Sequence, residues 1–79
     1  MRIDQSKVAV LQTTRLYLNH EDTVYFADVI RIAVGNYIAH VTQAKTGASD
    51  FGYGETEKLS CVNGIEAVLS KVKAFERTQ

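Results

Sequence analysis

The chain has 79 residues, 46% of them hydrophobic and 23% charged, and its nine basic and nine acidic side chains give a formal net charge of zero. A chain of this size forms one domain burying about 60–65% of its unfolded surface. The even charge speaks against a general nucleic-acid binder, which carries a basic excess, and against an acidic DNA mimic. A single cysteine, Cys61, excludes an internal disulfide framework and fits a reducing compartment. The opening Met-Arg-Ile-Asp-Gln-Ser-Lys has no apolar run, and the longest apolar stretches, such as Val8–Leu11, fall far short of a bilayer span. One cytoplasmic domain over residues 1–79, with no membrane segment, is the expectation.

Residues 7–19 alternate and are rich in Val, Thr, Leu and Tyr, which predicts a strand. Asn19-His20-Glu21-Asp22 reads as the turn that follows. Residues 23–34 form a second strand leading into Gly35-Asn36, a pair suited to a tight type II′ hairpin turn. If Val34 faces Tyr37, one face of this hairpin carries Ile30/Val41, Ile32/Ala39 and Val34/Tyr37, apolar throughout. The other face carries Val29/Thr42, Arg31/His40 and Ala33/Ile38. If Asn19 likewise faces Thr23, Leu18/Val24 and Leu16/Phe26 extend the apolar face, and Tyr17 pairs with Tyr25 outside, with Arg15 on that same face. One row then stands out: Thr14, Asp28 and Gln43 cross the apolar face. Either a hydrogen-bonded polar network or ligand notch sits there, or a bulge near Ala27-Asp28 turns Asp28 outward.

Residues 45–55 contain three glycines and read as a loop carrying Phe51 and Tyr53. Residues 56–62 suit either a short fourth strand or a helical turn. Asn63 with Glu66 three residues on has the form of a capping box. Ile65, Val68, Leu69, Val72 and Phe75 then make a helical stripe to about Arg77, with Lys71 and Lys73 in the half that complements the helix dipole. The expected architecture is an α+β domain: an antiparallel three- to four-stranded β-meander packed by one C-terminal α-helix. Such a sheet leaves two edges, so a homodimer formed by edge pairing or through the helix is a natural assembly.

His40, Cys61 and an acid such as Asp28 are the ingredients of a thiol nucleophile site, but no motif surrounds Cys61, and a small buried apolar role suits it better. His20 and His40 lie far apart, and no Cys-x-x-Cys or His-x-x-x-His spacing offers a metal site. Gly52-Tyr53-Gly54 lacks the third glycine of a dinucleotide fingerprint and the Gly-Lys-Ser/Thr ending of a P-loop. No cofactor is expected. Tyr17, Tyr25, Arg15 and Arg31 are the side chains a small RNA- or DNA-binding sheet would use, although the ribonucleoprotein octapeptide is absent.

Gly47-Ala48-Ser49-Asp50-Phe51, followed by Thr56-Glu57-Lys58-Leu59, resembles a Gly-Ala-x-Asp-Phe and Thr-Glu-x-Leu stretch of small phage-encoded anti-CRISPR inhibitors of type I-F systems. That resemblance implies a non-enzymatic inhibitor that occupies a surface of a CRISPR complex subunit. Joined to the pattern of the strands, it leads to the expectation of a protein-interaction module. Its partner-binding residues would be Phe51 and Tyr53 on the loop, with Tyr17, Tyr25, Arg31 and His40 on the open sheet face. The alternative is the RNA- or DNA-binding module, and an enzyme using Cys61 or Asp28 comes last.

Overall fold

The computed structural model describes residues 2–77. Strands β1 (Thr14–His20), β2 (Thr23–Ala33), β3 (Asn36–Gln43) and β4 (Ser49–Gly54) form an antiparallel meander in the order β1-β2-β3-β4. One helix, α1 (Glu57–Arg77), packs on one face. The α+β class and the meander-plus-helix architecture are as the sequence predicts. Before β1, a single 3-10 turn at Gln5–Lys7 is followed by an extended, exposed arm through residue 13, so the strand predicted from residue 7 starts at Thr14. The arm finds no partner strand to bury Val8, Val10 and Leu11, and Val10 is 94% exposed.

Both hairpin registers differ from the expected ones, and both by an odd number of residues. His20, not Asn19, faces Thr23, because Glu21 and Asp22 alone make the turn, with φ of 51° and 61°. Positive φ at both central positions is the signature of a type I′ turn, whose twist matches that of the strands it joins. In the second hairpin Arg31, not Val34, faces Tyr37. A register shift between Arg31 and Ala33 absorbs a residue, and Ala33 then faces Asn36. The turn is thus Val34-Gly35, with Gly35 in its second place at φ 70°. An odd slip moves every side chain to the opposite face. β1 and β3 keep their predicted faces, while β2 is inverted between them. Tyr25, Ala27 and Val29 point to the helix, and Phe26, Asp28 and Ile30 point away.

Residues 49–54, expected within a loop, are a strand because Asp50, Gly52 and Gly54 face Val41, Ala39 and Tyr37 of β3. The fourth strand is therefore here and not at 57–62, which is already helix. The helix starts six residues before the predicted cap at Asn63. Thr56 supplies the true cap: its Oγ1 accepts from the Leu59 N–H at 3.0 Å and its carbonyl from the Ser60 N–H at 3.0 Å. Asn63 and Gly64 lie inside the helix, and both are there for β4. The Asn63 Nδ2 donates to the Tyr53 carbonyl at 2.6 Å. A Cβ on Gly52 would overlap the Gly64 nitrogen and the Ser60 carbonyl, and one on Gly64 would overlap Val41. Glycine facing glycine lets the helix backbone rest directly on the strand.

The core between helix and sheet is Tyr25, Ala27, Val29, Ala39, Val41, Cys61 and Val68, with Leu16, Leu18, Tyr37, Ala48, Ile65 and Val72 packed around it. Two buried polar side chains among the described residues, Gln43 and Ser60, enter it and both are satisfied, the Ser60 hydroxyl donating to the Glu57 carbonyl at 2.7 Å. Gln43 is buried; its Nε2 donates to the Tyr25 hydroxyl at 3.2 Å, and its Oε1 accepts from the Thr46 hydroxyl at 2.6 Å. No buried side-chain nitrogen or oxygen among the described residues lacks a partner.

Candidate functional site: the open face of the sheet

The helix covers one face of the sheet and leaves the other bare. Alternation along four strands puts Arg15, Tyr17, Val24, Phe26, Asp28, Ile30, Ile38, His40, Thr42, Phe51 and Tyr53 on that open face, in rows fixed by the register. One row runs Tyr17, Phe26, Thr42, Ser49. The next runs Arg15, Asp28, His40, Phe51. A third runs Ile30, Ile38, Tyr53. Tyr17 is 74% exposed, Phe51 52% and Tyr53 61%.

Charge enters this surface as one closed pair. The Arg15 Nε and Nη2 donate to the two Asp28 carboxylate oxygens at 2.9 and 3.0 Å, a bidentate arrangement. The Arg15 guanidinium also lies 5.1 Å from the centre of the Phe26 ring. The hydrogen bond from Arg15 holds the Asp28 carboxyl below the usual carboxylate range, against the opposing effect of desolvation, and the same bond raises the Arg15 pKa. Beside the pair, the His40 and Phe51 rings stack at a tilt of 40° with centroids 4.8 Å apart.

Tyr17, His40, Phe51 and Tyr53 therefore share one face. Two of the expected contact residues do not join them. Tyr25 is 1% exposed and stands in the core as the partner of Gln43, because the inverted β2 turns it inward. Arg31 faces Tyr37 instead of His40 and is exposed at the far end of the sheet, on the side opposite the open face. The Thr14, Asp28, Gln43 row dissolves for the same reason. Thr14 is exposed, Gln43 belongs to a satisfied core network, and Asp28 faces outward because of the strand's register and without a bulge at Ala27-Asp28.

Sequence reasoning missed Phe26 and Ile30 on this surface and placed them in the core. The signal was present in Arg15 and Asp28: pairing these opposite charges across a two-residue Glu21-Asp22 turn fixes the register. The thiol-site ingredients do not come together. Cys61 is buried on the sheet-facing side of the helix, where desolvation pushes its thiol pKa up, while His40 and Asp28 lie on the far side of the sheet. Among the described residues no three His, Cys, Asp or Glu side chains are placed to hold a metal ion, and no helix is long and apolar enough to cross a membrane. A shallow groove lined by Thr46, Ala48, Lys71, Val72 and Phe75 opens on the helix side. Comparison with known proteins finds no matching family model, no matching curated protein and no matching solved structure.

Proposed function

We propose that this chain is a non-enzymatic protein-interaction module, an inhibitor or regulator of the phage or mobile-element kind, which acts by laying its open sheet face on a protein surface. The observation that carries the reading is the triad of exposed aromatics, Tyr17, Phe51 and Tyr53, set around the internally neutralised Arg15–Asp28 pair. Aromatic anchors with a flat apolar surround are the usual source of binding energy between proteins. Net neutrality of the face suits a protein partner better than a polyanion. The RNA- or DNA-binding reading also loses three of its four side chains, since Tyr25 is buried, Arg15 is tied to Asp28 and Arg31 lies on the opposite side of the sheet. A catalytic reading gains nothing from a buried thiol with a raised pKa, since the thiolate is the nucleophile.

Within this class the anti-CRISPR resemblance names the partner to try first, a subunit of a type I-F surveillance complex. The decisive experiment is phage plating on a host with active type I-F immunity that expresses the chain. The reading expects restored plating, lost in the Tyr17→Ala, Phe51→Ala, Tyr53→Ala triple variant while its circular dichroism stays native. Unrestored plating ends the CRISPR assignment. Undiminished function in the folded triple variant ends the open-face assignment.

A further inference from the structure

The two edges of the sheet are finished differently. The Ala44 N–H donates to the Val24 carbonyl and the Gln43 N–H to the Ala48 carbonyl, which fixes the hydrogen-bonding direction of every residue in the meander. On β4 the groups of Ser49, Phe51 and Tyr53 point away from the sheet, and each of these residues has one group closed by a side chain. Lys71 Nζ donates to the Ser49 carbonyl at 2.8 Å, Asn63 to the Tyr53 carbonyl, and the Asp50 carboxylate accepts from the Phe51 N–H at 2.7 Å. On β1 the outward residues are Arg15, Tyr17 and Asn19. No hydrogen bond from any described residue reaches their backbone groups. The strand carries no proline, no bulge and no inward charge, and the backbone of the helix lies over β4, β3 and β2 and away from β1. Sheets normally blunt such an edge; this one is blunted at one end only.

We infer that β1 is a homodimer edge, at which a second copy adds its own β1 antiparallel about a two-fold axis through Tyr17. The occupant follows from self-complementarity. Centred on Tyr17, the register uses all seven residues of Thr14–His20. The outward residues fall into hydrogen-bonding pairs, Arg15 with Asn19 of the second copy and Tyr17 with Tyr17 of the second copy. The strand's only permanent charge thus meets a neutral side chain, whereas centring on Arg15 would set two guanidinium groups face to face. On the helix side Leu16 meets Leu18 of the second copy, which closes over leucines that are only half-buried at the edge of the core. The product is one continuous eight-stranded sheet with both helices on one side. This inference concerns the edge and stands independently of what the open face binds.

The test needs only the purified chain. Sedimentation equilibrium, together with amide hydrogen exchange of Arg15, Tyr17 and Asn19, is followed over a roughly hundredfold concentration range. The expected result is a monomer–dimer equilibrium, with protection of those three amides rising as the dimer fills. Tyr17→Pro removes an outward donor and leaves the β1–β2 ladder intact, since proline is tolerated where the strand N–H faces solvent. Tyr17→Lys sets like charges across the axis. Both variants should be monomeric, and the lysine variant answers the question if the proline variant fails to fold. A monomer throughout the range with the three amides unprotected overturns the inference. So does a dimer that survives in a folded variant.

Discussion

In the row Val29, Ala39, Gly52 the side chains shrink toward β4 until none is left, and the helix backbone fills the space. One residue along on the other side, the row Asp28, His40, Phe51 grows in the same direction, and nothing fills the space above it. The helix face is a fitted surface, where stability depends on volumes. The open face has aromatic bulk without a lid, so its residues can be exchanged with little effect on folding. A chain of this size has few side chains in which to separate the two roles, and the pleat of the sheet does it by alternation. Gly52 and Phe51 are neighbours in sequence with opposite duties.

The contrast breaks most severely at Gly52. Gly52→Val drives two methyl groups and a Cβ into the helix backbone, which cannot yield as a side chain tip would, and should cost at least about 3 kcal/mol. Denaturant titration should find the variant largely unfolded. Tyr25→Phe keeps the ring and leaves Gln43 short of a buried partner, for a loss of about 1–2 kcal/mol by the same measurement. Asp22→Gly should raise stability by about 0.5–1 kcal/mol, because a left-handed φ of 61° costs glycine nothing and a side chain something. It would sharpen the comparison, since this turn decides which residues of β2 see the helix. Phe51→Ala, in contrast with its neighbour, should shift stability by no more than about 0.5 kcal/mol.

The smallest effect lies in the ion pair, and it depends on pH. The folded-state pKa of Asp28 is depressed below its unfolded value, so the pair's contribution is present above the unfolded carboxylate value of about 3.9 and is lost as pH falls through the folded one. Arg15→Gln removes the main cause of the depression. An NMR titration should then find Asp28 moving up toward the ordinary range, and the stability difference from the parent chain should vanish in acid. An unmoved Asp28 titration would contradict the bidentate geometry.

Where the sequence was readable, a single periodicity decided the matter. Leu16 and Leu18 in β1 alternate with Arg15, Tyr17 and Asn19, and Ala39 and Val41 in β3 alternate with His40 and Thr42, and their faces follow. Tyr17 and His40 can be recognised as outward residues on that basis, whereas Phe51 and Tyr53 read only as the aromatics of a loop. β2 resists the same reading because it is apolar on both sides, with Tyr25, Ala27 and Val29 on one and Val24, Phe26 and Ile30 on the other. Hydrophobicity cannot choose between such faces, and the choice made by turn geometry moved Tyr25 off the site. β4 was hidden for another reason: glycines occupy its inward positions, and packing by backbone leaves no hydrophobic pattern. The same economy disguised Asn63-Gly64 as the start of a helix, although both residues serve contacts in its middle.

The buried Gln43 takes on another meaning beside that ambiguous strand. A chain whose second strand is greasy on both sides can collapse into a hairpin one or three residues out of step and still bury as much oil. What separates these competitors from the native pairing is polar: in a slipped hairpin the Gln43 amide loses the Tyr25 hydroxyl, and Asp28 turns away from Arg15 into the core. The Gln43–Tyr25–Thr46 contact is therefore a discriminator among nearly isoenergetic collapsed states, and its removal should show as heterogeneity during refolding.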